Sequence, residues 1–198
     1  MSLRFALLTL LRVGPLSGYD LKKQFSMSVG YVWHAPDSQI YPELKRMARD
    51  GLLEPEDVPR GPKGTRTIYH VTDEGEAAFL DWFEQMPTYQ RQRDPASLRA
   101  AYLESATAQQ QTAFFETHRA HWQGELDRDS AELERLKART SPALLRRLEH
   151  LAPGERDAAV AWKVFAYEGL VARAEWELQW AQRGLDLVGR LEANPASV

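Results

Sequence analysis

The chain has 198 residues, enough for one or two small domains, and 43% of them are hydrophobic, enough for a packed core. There is no cysteine, which excludes disulfides and thiolate chemistry, and no apolar run approaches the roughly 20 residues that span a bilayer. The net charge of −3 is uneven: residues 1–72 hold ten Lys/Arg against seven Asp/Glu, a net +3, and residues 73–198 hold fifteen against twenty-one, a net −6. A local basic face is what contact with phosphate needs, so the overall charge excludes nothing.

In chain order, the apolar start lacks a small-residue cleavage site and reads as a helix over about 2–12, not a signal peptide, which puts the chain in the cytoplasm. Leu3, Ala6, Leu7 and Leu10 share one face of it, and Gly14-Pro15 ends it. Ser17 followed three positions on by Asp20 resembles a capping box, so a second helix starts near Gly18, with Leu21 and Phe25 facing inward. Gly30 and Trp33-His34-Ala35-Pro36 break it. Asp37 suits the N-cap of a third helix over about 38–50, whose stripe is Ile40, Leu44, Met47 and Ala48, with Gly51 as its C-cap glycine. Two extended runs, near 52–58 and 66–72, flank the basic turn from Arg60 to Arg66. Thr72 caps a fourth helix carrying Phe79, Leu80, Trp82 and Phe83.

Pro87 to Pro95 reads as a linker between an N-terminal domain, 1–87, and a helical domain, 94–192. Asp94-Pro95 supplies an N-cap and an N1 proline. Helices follow over about 108–139, 143–150 and 155–191. In the last, Val164, Val171, Leu178 and Leu185 recur every seven residues, as do Tyr167, Ala174, Ala181 and Val188 in the next stripe. A heptad seam of this kind buries against another helix. The 108–139 helix can cover one side through Phe115, Trp122, Leu126, Leu133 and Leu136, and the remainder asks for a second subunit, so both stripes are candidates for dimerisation.

Helix, helix, helix, two strands with a basic tip, helix: this order is a winged helix-turn-helix with a two-stranded wing, in a mainly α chain that ends in a helical dimerisation domain. Such an arrangement offers one helix to a DNA groove and one loop to the backbone. With the third helix's apolar stripe inward, Ser38, Gln39, Tyr41, Pro42, Lys45 and Arg49 are its candidates for base or phosphate contact. Pro42 reads as a first-turn proline, where the missing N–H costs little. Arg60, Lys63 and Arg66 are the candidates on the wing, and Tyr19 and Lys22, with Lys23, those on the second helix. The bland alternatives are a solvated helix face and a charged hairpin.

His118, His121 and Glu125 lie on one helix face at metal-like spacing, but two turns is a long reach for one ion and no fourth ligand is evident, so no metal and no other cofactor is expected. Trp122, Trp162, Trp176 and Trp180 either line a pocket for a small aromatic ligand or form dimer core. No Gly-rich phosphate loop or nucleophile elbow is present, and His34 and His70 have no obvious acid or nucleophile partner in the sequence, so the chain is not read as an enzyme.

Gly18-Tyr19-Asp20-Leu21, Ile40-Tyr41-Pro42 with Leu44, Gly51-Leu52, and Arg66 with Tyr69, Thr72 and Gly75 resemble the PadR family of bacterial transcriptional regulators. The helical half, by length and helix content, resembles the longer subfamily with a virulence-activator-like C-terminal domain. The resemblance implies a homodimer with interlocking C-terminal helices that binds inverted-repeat operators in double-stranded DNA, usually as a repressor. In some members it also implies relief by a phenolic or other aromatic effector. The alternative from a different class is a dimeric adaptor that activates through its helical domain.

Overall fold

The structure is a computed structural model that describes residues 3–31, 35–60, 64–86 and 93–194. Trp33, His34, the wing tip Gly61-Pro62-Lys63 and linker residues 87–92 lie outside them. The chain divides into two compact units, Met1–Thr88 with Ser141–Arg156, and Tyr89–Thr140 with Asp157–Val198.

In the first unit, α1 (Leu3–Leu11) leads to a two-residue strand, β1 (Leu16–Ser17), and to α2 (Gly18–Met27). Then come α3 (Asp37–Arg49), β2 (Leu53–Arg60), β3 (Gly64–Val71) and α4 (Asp73–Glu84). The three strands are antiparallel in the order β1-β3-β2, with Leu16 opposite Tyr69 and with Leu53 to Arg60 opposite Val71 to Gly64. The wing is therefore two-stranded as expected, and β1 adds a short third strand.

Local chemistry places the ends of these elements. The Ser17 hydroxyl oxygen accepts from the Asp20 N–H at 3.2 Å, which starts α2. Gly51 follows α3 with φ of +78°, a conformation that favours glycine. The Thr72 hydroxyl donates to the Gly51 carbonyl at 2.6 Å and accepts from the Gly75 N–H at 3.0 Å, so one side chain ties the exit of α3 to the start of α4.

The core of this unit is made by Leu7, Leu8 and Leu11 of α1, Leu21 and Phe25 of α2, Ile40, Leu44 and Met47 of α3, with Leu53, Tyr69 and Phe79. Two expectations are corrected here. α1 buries Leu7, Leu8 and Leu11, while Leu3, Ala6 and Leu10 are only half-buried, because α2, α3, α4 and β3 all pack against it and no single stripe serves them. α3 begins at Asp37 itself, with Pro36 in the N-cap position and no side-chain cap. Pro42 therefore lies inside the helix, and its missing N–H leaves the Ser38 carbonyl without its usual i+4 partner. On α4, Phe79 is buried and Trp82 stacks on Phe5 at 5.2 Å, but Leu80 and Phe83 are exposed. The later helix α7 (Pro142–Glu149), capped by Ser141, groups with this unit.

In the second unit, α5 (Pro95–Ala100) starts on Asp94, whose carboxylate accepts from the N–H groups of Ala96 and Ser97 at 3.0 Å each. The Ser97 hydroxyl donates to the same carboxylate, and this bond, together with the two backbone bonds, holds that carboxyl below the usual aspartate range. α6 (Ala108–Lys137) opens on a capping box between Thr107 and Gln110. α8 (Arg156–Ala193) is continuous over 38 residues. It buries Val160, Tyr167, Ala174, Ala181 and Val188 within this single chain, and a β-carbon on Gly184 would strike the Phe115 ring of α6. α6 buries Phe115, Leu133 and Leu136, whereas Trp122 and Leu126 stay half-buried.

Candidate nucleic-acid interface

α3 has two faces set by its own sequence. Ile40, Leu44 and Met47 point into the core, which leaves Ser38, Gln39, Tyr41, Pro42, Lys45 and Arg49 exposed on the other side. Tyr41 keeps 45% of its surface although its ring lies over Gly18, the first residue of α2, and the neighbouring Tyr19 keeps 65%. Lys23 is exposed and Lys22 is half-buried. The face thus carries two phenols, a lysine and an arginine, which can donate to phosphates or base edges.

Glu43 is the exception on α3. It occupies a core-side position between Ile40 and Met47, and its side chain is only 9% exposed. Arg4 of α1 donates from Nε to Glu43 Oε1 at 3.3 Å and from Nη2 to Asp50 Oδ2 at 2.6 Å, while Arg46 donates to the other Glu43 oxygen. Burial acts to lower the Arg4 pKa, but the bonds to Asp50 and Glu43 outweigh it and hold the guanidinium above its ordinary value. Arg4 thereby joins α1 to the middle and to the C-terminal end of α3. Sequence reading missed this lock, although a carboxylate at i+3 in the stripe Ile40, Leu44, Met47 was a visible sign of a buried partner.

The wing is the β2–β3 hairpin. Arg60 and Arg66 are exposed near its tip, Arg60 opposite Gly64 and Arg66 opposite Val58; Lys63 lies outside the described residues. Cross-strand pairs stiffen the hairpin: the Thr67 hydroxyl donates to Asp57 at 2.7 Å, and His70 Nε2 sits 2.9 Å from Glu56. His70 thus has an acidic partner that the sequence did not reveal. At the base of the wing, burial raises the Tyr69 pKa, and Asp57 and the Tyr41 phenol add to the rise.

In the second unit the four tryptophans do not converge. Trp180 and Trp122 stand at 5.0 Å and 6.1 Å from the His118 ring, and His118 Nε2 is 3.1 Å from Glu177. Trp162 and Trp176 are 72% and 53% exposed on α8. Trp162 precedes Trp180 by eighteen positions on α8, roughly 27 Å along the axis, so one small molecule cannot touch both. A groove runs instead between α5 and α6, lined by Leu98, Arg99, Tyr102, Phe114, His118 and His121 among others. Glu125, the third residue of the metal-like set, bonds Arg128, and no group of three or more His, Asp or Glu that could hold a metal occurs among the described residues.

The stripe Tyr167, Ala174, Ala181 and Val188 is buried within the chain, which takes it off the free surface. Val164, Val171, Leu178 and Leu185 are half-buried. The exposed apolar stripe of α8 is a third one, Trp162, Phe165 and Trp176, which the heptad count did not single out for dimerisation.

Residues 7–81 match the model of the transcriptional regulator PadR-like family. The negative transcriptional regulator PadR of Bacillus subtilis (strain 168) is 32% identical over 141 residues, which cover 71% of this chain and 78% of that protein. Crystal structures of Bacillus subtilis PadR are similar over 94% of this chain. The complex with operator DNA has a TM-score of 0.73 at 27% identity, with 97% of that chain covered, and the complex with p-coumaric acid 0.68 at 26%, with 95% covered. The virulence activator AphA of Vibrio cholerae shares the fold, with a TM-score of 0.61 at 23% identity over 96% of this chain and 99% of that one.

Arg4→Met should leave Glu43 short of one donor in a nearly closed site. A urea titration should show a loss of roughly 1–3 kcal/mol in unfolding free energy. A loss under about 0.3 kcal/mol would show that Arg46 alone satisfies the carboxylate.

Proposed function

The chain belongs to the PadR family of transcriptional regulators, and from that membership we propose that it is a homodimeric repressor that binds an inverted-repeat operator and is released by a small aromatic acid. The observation that carries the DNA reading is the outward face of α3, with exposed Tyr41, Lys45 and Arg49 beside Tyr19, flanked by a wing with exposed Arg60 and Arg66. The relative crystallised with operator DNA supports it. α3 specifies the sequence, through Ser38, Gln39, Tyr41, Lys45 and Arg49, and the wing, Lys63 included, positions the protein on the phosphates.

Repression follows the negative regulator of Bacillus subtilis. Dimerisation rests on α8, where Trp162, Phe165 and Trp176 present an apolar stripe that a second copy would cover. Two winged helices related by a two-fold axis meet successive major-groove faces, which is the reason to expect an inverted repeat. The complex of a relative with p-coumaric acid supports an aromatic effector. In this chain the α5–α6 groove suits such a molecule better than the scattered tryptophans: Tyr102 and Phe114 offer ring faces, and Arg99 a cation for a carboxylate.

Binding to the DNA upstream of its own gene, measured by fluorescence anisotropy against random duplex, tests the DNA assignment. Arg66→Ala and Lys63→Ala should weaken both duplexes alike and lower the salt slope by about one unit for each phosphate that a subunit no longer neutralises. Tyr41→Ala with Lys45→Ala should instead narrow the gap between operator and random DNA, at roughly 1–3 kcal/mol for each base that is no longer read. Unchanged discrimination would mean that another face of the unit reads the bases.

Light scattering at micromolar concentration should give twice the chain mass of 22.6 kDa. Trp162→Glu with Phe165→Glu should yield a monomer with its helix content intact, and a wild-type monomer would remove the two-headed DNA arrangement.

p-Coumaric acid should quench tryptophan fluorescence saturably, since Trp180 and Trp122 flank the groove residue His118, and should weaken operator binding by the same factor by which DNA weakens its own binding. Arg99→Ala should remove this response. Saturable quenching with unchanged operator affinity would make the groove a site without regulatory effect.

A further inference from the structure

We propose that Gly18 is a positioning residue for DNA recognition: the side chain it lacks is the seat that holds the Tyr41 ring on the start of α2, beside Tyr19. The inference rests on the DNA reading of α3 and assigns Gly18 the part of fixing where that reading's central phenol stands.

The backbone does not call for glycine at this position. Among the described residues the positive-φ glycines are Gly14 and Gly51, and Gly18 is a helical residue directly after the Ser17 cap. Alanine is the better helix former, so on local grounds glycine is the poorer choice. Space supplies the reason. A β-carbon built on Gly18 would stand 2.6 Å from Tyr41 Cε1, 3.2 Å from Cδ1 and 3.5 Å from Cζ. The three nearest atoms all belong to one ring, and none belongs to the backbone.

Gly75 provides the contrast. A β-carbon there would meet the backbone carbonyl oxygen of Leu52, which the fold cannot move cheaply. At Gly18 the obstacle is a side chain that is 45% exposed and free to swing outward. A larger residue at 18 therefore leaves the fold standing and displaces Tyr41.

Leu16, two residues before Gly18, pairs with Tyr69 of β3, and the Tyr41 phenol bears electrostatically on Tyr69. Tyr41 is thus seated on the entry of α2. A side chain ordered before it meets DNA gives up less entropy on binding, and its hydroxyl arrives at a fixed height above the groove. Gly18 in this way sets where the sequence-reading helix presents its phenol.

The experiment is a double-mutant cycle with Gly18→Ala, Tyr41→Ala and both together, each measured by anisotropy on the upstream duplex and on random duplex. The Tyr41 ring proton signals of the free protein and the thermal midpoint are followed in parallel. Gly18→Ala should shift the ring signals, keep helix content, and reduce the operator-to-random ratio about tenfold. In the Tyr41→Ala background Gly18→Ala should cause no further loss, because the ring it displaces is gone. If Gly18→Ala also lowers the midpoint, Tyr41→Ala should restore it.

Losses that multiply in the double variant would overturn the proposal, as would unmoved ring signals or a midpoint that Tyr41→Ala fails to restore. If Tyr41→Ala leaves the ratio unchanged while Gly18→Ala still moves the ring, it is the DNA reading of Tyr41 that fails, and the positioning role fails with it.

Discussion

The first unit depends on the burial of one stripe of α3. Ile40, Leu44 and Met47 are at most 1% exposed, and with Leu7, Leu8, Leu21 and Phe25 they close a small core. Because a helix has a period of 3.6 residues, committing this stripe inward commits Ser38, Tyr41, Lys45 and Arg49 outward. The stability of the unit and the direction in which it offers hydrogen-bond donors are therefore one fact. Glu43 sharpens it: a carboxylate on the inner side can stay there because Arg4 and Arg46 reach it, and that ties the rotation of α3 about its axis to α1. A slip of one residue would bury Lys45 and expose Leu44, and no pairing in this core would offset that exchange.

The second unit solves a different problem. α6 and α8 bury one another with small residues of α8, Ala174, Ala181 and Gly184, and with one large ring of α6, Phe115, which lies against Gly184. Ionic groups are built in beside them: Asp129 and Glu132 are nearly closed off and are held by Arg128 and Arg135. Burial raises the Asp129 pKa against the opposing pull of Arg128, so that carboxylate is easier to protonate in the folded chain than in the unfolded one. What α6 leaves uncovered on α8 is an aromatic stripe with exposed Glu168 and Glu175 nearby, a mixed surface that a second copy, or a partner protein, would have to dehydrate.

Many element ends were legible in the sequence because their signals are local. Ser17, Gly51, Thr72 and Asp94 each satisfy or end a helix within three residues, and capping chemistry needs no knowledge of the rest of the chain. The inner stripe of α3 came from periodicity. What stayed hidden is long-range. β1 is too short to carry a pattern and exists only because β3 lies beside it. Arg4 meets Glu43 across 39 positions, and Tyr41 of α3 meets Gly18 at the start of α2. On α8 the apolar residues run right round the helix, so a seven-residue count finds stripes but cannot rank which one faces α6; the structure gives that role to Tyr167, Ala174, Ala181 and Val188.

If the outer face of α3 and the wing together read a particular DNA sequence, the unmodified protein must tell one duplex from another of equal charge. Equilibrium titration against the duplex upstream of its own gene, and against a shuffled duplex of the same length and composition, at one fixed salt concentration near physiological, measures this. Binding to the upstream duplex should be tighter by about a thousandfold or more, with footprint protection over two half-sites about one helical turn or a small multiple apart. Equal affinity for the two duplexes, or no binding to either at low salt, would refute sequence reading by this face.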